Sequence, residues 1–135
     1  EAAQVVFQSG LKIKMAPLEI GNKAHVTQEQ MTQIKNCGEV GNMLYSLFSN
    51  IHEPDGDPRI KIFDPTAVGL ILCPEAFSVR KANVEVELAG RYTYGASVIN
   101  FMSNNPNAEV AIDVDVKMFA DWFINKIKLA DQGRM

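Results

Sequence analysis

Residues 62–72 read IFDPTAVGLIL, and this stretch predicts a helix with a chemically equipped mouth. Asp64 suits an N-cap, because its carboxylate can accept a backbone N–H one turn on. Pro65 then falls at the first helical position, where a missing N–H costs nothing. The helix behind it, TAVGLIL, is apolar nearly all round, which predicts burial. Phe63 and Asp64 therefore sit side by side where a buried helix opens, an aromatic ring beside a carboxylate. Two roles stay open for Asp64 on these residues alone: a cap, or a cap that also meets a ligand.

Upstream, EAAQVVFQSG reads as a helix entered without an N-cap and stopped by Gly10, which suggests a piece of a longer chain. Leu11, Ile13 and Met15 alternate with Lys12 and Lys14, as in a strand covered on one face. That strand should end near Pro17, and GNKAH reads as a loop. Thr27 and Gln30 form a T-x-x-Q capping box. Behind it Met31, Ile34, Val40, Met43, Leu44, Leu47, Phe48 and Ile51 follow helical spacing, with Gly38 and Gly41 dividing or bending the span.

HEPDGDPR is an exposed turn cluster. Asp55 and Asp57 lack EF-hand spacing, so they predict a solvated loop and not a calcium site. His52, at its edge, reads as a surface residue or a partner of the helix dipole. Downstream of Pro74, Val84, Val86 and Leu88 alternate with acids in a half-exposed strand. After a turn at Ala89–Gly90, AGRYTYGASVIN continues as a second strand. VAIDVDV makes a third, and Asp115 caps a last helix with Val116, Phe119, Ala120, Phe123, Ile127 and Ala130 inward. Trp122 lies beside that face as packing. Mixed elements of this kind predict an α/β sheet with an antiparallel addition.

With 135 residues, 47% of them hydrophobic and 21% charged, the chain can bury one core. A net charge of −3 offers no basic field for nucleic acid. The longest apolar run, near residues 67–73, is far too short to span a bilayer. Cys37 and Cys73 lack metal-type spacing and predict buried thiols in a reducing compartment, hence the cytoplasm.

Four stretches, in order, resemble the C-terminal half of the inosine–uridine-preferring nucleoside hydrolase family. EAAQVVFQSGLKIKMAPLEIGNKA is similar to the family's helix after "DPEAA", a short strand and a "GLDVTHKA" loop. FDPTAVGLILCPEAF resembles "HDPxAVAYLLDPxLF". VEVELAGRYTYGASVIN resembles "VxVETxGxLTRGxTVVD", and NAEVAIDVDVKMFADWFINKI resembles the closing "xVxVALDVDxxxFxxLfLexL". The resemblance implies an α/β fold, the C-terminal part of a Rossmann-like nucleoside hydrolase with a mainly parallel sheet and an antiparallel addition. Residues 1–135 would be a single partial domain. The family's "DxDPGxDD"-like metal signature, its general base and its ribose-holding residues have no counterpart here, so no catalytic residue is assigned to this chain.

What the resemblance implies is calcium-dependent hydrolysis of the N-glycosidic bond of ribonucleosides, giving ribose and free base. One Ca²⁺ ligand carries over, Asp64, in keeping with the cation's taste for hard oxygens. The family's usual histidine before that aspartate is Phe63 here, and phenylalanine cannot donate a proton. Purine-preferring members carry an aromatic at this place, which implies a base-facing Phe63 and a purine preference. Tyr45 and Phe48, about one turn apart on a helix corresponding to a base-lining segment, are further base-contacting candidates. Other departures are Glu19-Ile20-Gly21-Asn22 where the family reads DVTH, and Tyr92-Thr93-Tyr94-Gly95 where it reads LTRG. The expected partners are a nucleoside, the upstream half of the same fold and further copies in a homo-oligomer, with neither nucleic acid nor membrane. The alternative is a catalytically inactive relative that serves as a ligand-binding or structural module.

Overall fold

The computed structural model describes residues 1–51 and 56–133. His52 and Asp55 lie outside the described residues. Asp57 forms a 2.6 Å ion pair with Arg59.

The chain begins with α1 (Ala2–Gln8), closed by Ser9 and by Gly10 with its positive φ. Then come β1 (Ile13–Met15), α2 (Leu18–Lys23) and β2 (His25–Val26). The helix α2 replaces the expected loop. Pro17 ends the strand as predicted but also starts the helix, because its carbonyl accepts from the N–H groups of Ile20 and Gly21 at 2.9 and 3.3 Å.

The Thr27–Gln30 capping box forms with both bonds in place, at 3.2 and 2.9 Å, and opens α3 (Gln28–Lys35). Gly38 divides the helical span, and α4 (Glu39–Phe48) follows it. Next come β3 (Ile60–Lys61) and α5 (Asp64–Leu72), and a 3₁₀ turn at Pro74–Ala76 leads into β4 (Phe77–Val86). The chain closes with β5 (Ser97–Asn100), β6 (Ala108–Val114) and α6 (Val116–Asp131).

A four-stranded sheet runs in the order β1-β6-β4-β5. Its parallel part in this chain is the β1–β6 pair, and β4 runs antiparallel to both β6 and β5. The ladder with β6 draws β4 out to Phe77, earlier than side-chain alternation suggests, and it shifts register between Ser78 and Val79. Leu88 falls beyond the strand. The Glu87 carboxylate accepts from the N–H groups of Ala89 and Gly90 at 2.7 and 2.9 Å, which holds the chain in a turn until Ser97. A separate two-stranded ladder joins β2 to β3, antiparallel.

Two expectations about α5 fail. Its N-cap is Phe63, already helical at φ −81° and ψ −68°, and Asp64 is the first helical residue with no capping bond. The Phe63 carbonyl accepts both the backbone N–H and the hydroxyl of Thr66, so the first turn closes one residue early. Nor is α5 buried all round. Thr66, Gly69 and Leu70 are inside, while Val68, Ile71 and Leu72 are 50–63% exposed.

The inward face of α5 meets α6 through a close approach. A Cβ built on Gly69 would lie 2.9 Å from Cε2 of Phe119. Phe119 is fully buried, edge-on to Phe77 at 5.9 Å and parallel to Phe123 at 6.3 Å. Asp115 caps α6 as expected, accepting from Met118 N–H at 2.9 Å. The buried stripe of α6 is Phe119, Ala120, Ile124 and Ile127, turned from the expected face toward Ile124. Phe123 and Val116 are only partly buried, and Trp122 packs tilted on Phe119 at 5.7 Å. Cys37 and Cys73 are both buried thiols. Among the described residues no helix is long and apolar enough to cross a membrane.

Because Phe119 fills the space between α5, α6 and the start of β4, Phe119→Ala should leave a cavity and cost about 3–5 kcal/mol. Denaturant unfolding followed by circular dichroism would show this as a lower midpoint with little change in slope.

Candidate functional site

The site is built where β3 hands over to α5. Antiparallel pairing of β2 with β3 continues for one more bond, from Ile62 N–H to Ala24 C=O at 2.8 Å. This ties Ile62, which is buried, to the residue after α2. The next residue, Phe63, swings its ring onto α2. A Cβ placed on Gly21 would lie only 2.5 Å from Phe63 Cδ1. Phe63 nevertheless remains 41% exposed. One part of the ring lies on the helix and another is open to a ligand.

Asp64 follows at the first position of α5, exposed, where the positive end of the helix dipole favours a carboxylate. Its side chain has no hydrogen bond or ion pair among the described residues. Lys23, at the end of α2, is paired with another carboxylate: its ammonium bonds Asp113 Oδ1 at 2.8 Å. That hydrogen bond, helped by the Val114 N–H and by the charge of Lys23, holds the Asp113 carboxyl below its ordinary pKa. The bridge joins α2 to the end of β6, at the carboxyl end of the parallel pair, where open α/β sheets place their ligands.

Asp64 also lines an apolar groove of about 560 Å³ between α5 and α6, together with Pro65, Val68, Leu72, Trp122 and Phe123. Tyr45 and Phe48 stand elsewhere. They are partly buried against the main core and line a groove of about 380 Å³ with Ile51, Gly56 and Pro58. Lys35 lies 4.8 Å from the Tyr45 ring centroid. Neither Phe63 nor Asp64 lines that groove. The candidates thus fall into two pairs, Phe63 with Asp64 and Tyr45 with Phe48, in different places.

Gly21 is the residue at this site whose part is not readable from its own neighbourhood. The sequence marks it only as a departure from a family pattern, and its contact with Phe63 depends on the β2–β3 ladder. As for a metal, the Asp64 carboxylate is a hard oxygen donor without a partner among the described residues, which suits calcium. Among the described residues no group of three or more His, Cys, Asp or Glu could hold an ion by itself. Among the described residues Asp64 is thus a single hard-oxygen donor and not a complete metal site.

The model of the inosine-uridine preferring nucleoside hydrolase family matches residues 1–121. The chain belongs to this family. Among curated relatives, the non-specific ribonucleoside hydrolase RihC of Shigella boydii is 32% identical over 96% of the chain. The protein of the same name from Klebsiella pneumoniae is 33% identical over 96% of the chain. In both cases the chain spans 44% of the relative's length.

Solved structures show the same fold. A purine-preferring ribonucleoside hydrolase from Gardnerella vaginalis superposes with a TM-score of 0.84, at 23% identity, over 98% of this chain and 45% of that one. An inosine-guanosine nucleoside hydrolase gives 0.78 at 24% identity, over 95% of this chain and 43% of that one. The mixed α/β architecture is thus that of the Rossmann-like nucleoside hydrolases, seen over less than half of their length.

Two outcomes follow for the site's charges. Since Asp64 makes no capping bond, Asp64→Asn should change unfolding free energy by less than about 1 kcal/mol, the scale of a dipole contribution. A thermal melt checks this. Replacing Lys23 with Met should raise the Asp113 pKa toward its ordinary value, as NMR titration of the carboxyl carbon would show. The depressed pKa means the bridge stabilises the fold above the unfolded-state pKa of Asp113. That contribution fades as pH falls through the folded value, and Lys23→Met should weaken this acid-side dependence, leaving the part due to the Val114 N–H.

Proposed function

We propose that the chain is the C-terminal part of a calcium-dependent ribonucleoside hydrolase that cleaves the N-glycosidic bond and favours purine nucleosides. Residues 1–135 are, in this reading, one partial domain completed by an upstream half. Membership of the family supports the reaction class. The observation that carries the site is the Phe63–Asp64 pair at the mouth of α5: a carboxylate with no partner among the described residues beside a half-open ring.

Asp64 would be one calcium ligand, the others coming from the upstream half. When bound, calcium would grip ribose hydroxyls and lower the pKa of an attacking water. The chain's own residues do the rest of what can be assigned here. Asp64 brings a fixed negative charge without folding cost elsewhere, because no cap depends on it. Phe63 offers a flat apolar face to a nucleobase. It cannot protonate the departing base, so that proton comes from water or from a residue outside this chain.

Of the three aromatic candidates, Phe63 has the strongest support, since it adjoins Asp64 while Tyr45 and Phe48 line a separate groove. The exposed Val68, Ile71 and Leu72 on α5 support an upstream half packed on that face. A homo-oligomer in the cytoplasm belongs to the same reading; the two buried thiols suit a reducing compartment.

Calcium titration of the full-length protein by calorimetry, with Asp64→Ala beside it, tests this. The variant should lose calcium affinity and at least about 100-fold in kcat/KM for inosine, at least the scale seen when partners that merely orient a ligand are lost. Unchanged calcium affinity would overturn the assignment of Asp64. A wild-type protein that binds inosine without cleaving it would be a binding module instead.

A further inference from the structure

We propose that Gly21 is a specificity-determining position of this site, acting by leaving room for the Phe63 ring. The proposal rests on the reading of Phe63 as the residue that faces the nucleobase.

The three atoms nearest to a Cβ built on Gly21 all belong to one side chain: Phe63 Cδ1 at 2.5 Å, Cε1 at 3.2 Å and Cγ at 3.4 Å. At the first of these distances something must move. Nothing in the backbone calls for glycine here. Gly21 lies inside α2 and is absent from the glycines with positive φ. Within a helix glycine is the least favourable residue after proline. What distinguishes position 21 is therefore the missing side chain, and the space it frees is filled by the ring.

Position 21 is also buried, so a side chain there could not turn out to solvent. The ring is the side that can yield, because Phe63 is 41% exposed. With glycine, the ring lies down on α2 beside Asp64. With any larger residue it must rotate away, and the face it presents at the mouth of α5 changes. The family pattern places threonine where this chain has Gly21 and histidine where it has Phe63. These two departures touch each other, so they act as one change. Stacking depends on the ring plane, and a purine offers the larger face; a displaced ring should hurt purines more than pyrimidines.

The test is a double-mutant cycle on the full-length protein: wild type, Gly21→Ala, Phe63→Ala and both together. Each is assayed for kcat/KM on inosine and uridine and melted thermally. Gly21→Ala should lower the inosine-to-uridine ratio about 2- to 12-fold, the range of one aromatic stacking contact. Its melting temperature should be unchanged or higher, since alanine suits a helix better. In the Phe63→Ala background the same substitution should leave the ratio unchanged, because the ring it displaces is gone.

If Phe63→Ala alone leaves the ratio untouched, the base-facing reading falls and this inference with it; both also fall if the full-length protein cleaves neither nucleoside. If Phe63→Ala lowers the ratio but Gly21→Ala has no effect, or has the same effect in both backgrounds, only the role of Gly21 is overturned. Should Gly21→Ala fail to fold, the double variant decides: recovery of the fold supports the clash with the ring, and continued failure refutes it.

Discussion

The structure depends on an aromatic ring filling the place of a missing Cβ. Phe119 of α6 presses against Gly69 of α5, and its own neighbours Phe77, Trp122 and Phe123 hold it from other sides. This approach fixes where α5 runs relative to α6 and to the start of β4. The site inherits that placement, because Phe63 is the N-cap and Asp64 the first residue of the same helix. A side chain at position 69 would push α5 outward and carry the mouth with it. The same device recurs at the mouth itself, where Gly21 of α2 receives the ring of Phe63. Dispersion and burial act over such short ranges that a gap of even half an ångström forfeits much of the contact.

Features set by local chemistry were legible in the sequence. The Thr27–Gln30 box needs only two residues at the right spacing, and it formed as spelled. Asp115 likewise caps the helix it precedes. Asp64 looked equally good as a cap and is not one, because Phe63 is drawn into helical geometry by Thr66 and the helix starts early. Which residue caps a helix is decided by how the chain enters it, and here the β2–β3 ladder decides that from a distance. The α2 helix was missed for a related reason. A proline that ends a strand can also open a helix, and alternation patterns carry no signal for the second role.

Burial was legible only in part. The hydrophobicity of TAVGLIL says that much of α5 seeks cover; it cannot say what provides it. Among the described residues one face is covered, by α6 with its ring cluster and by α2 and β1, and Val68, Ile71 and Leu72 stand open. The turn at residues 91–95 shows the opposite case. Its sequence reads as strand, yet the Gly95 N–H returns to the Glu87 carbonyl at 2.7 Å and the Ala96 N–H to the Thr93 carbonyl at 2.9 Å, which closes the chain on itself before Ser97. Local bonds of this kind compete with sheet formation, and here they win.

The candidate site divides along the same line. Phe63 and Asp64 could be paired from sequence because they are neighbours in the chain. Tyr45 and Phe48 share a helical face, and periodicity places them together, but it does not relate that face to the mouth of α5. Gly21 could not be assigned at all without the ladder that sets Ile62 against Ala24. Charge follows a different logic. Lys23, at the end of α2, bridges to Asp113 near the end of β6. Asp64, at a helix N-terminus, has no ion pair among the described residues. An exposed carboxylate loses little by this, since water and the helix dipole stabilise it. It is also the condition under which such a group remains available to a hard cation, since a carboxylate already held by a lysine would have to break that pair before it could bind one.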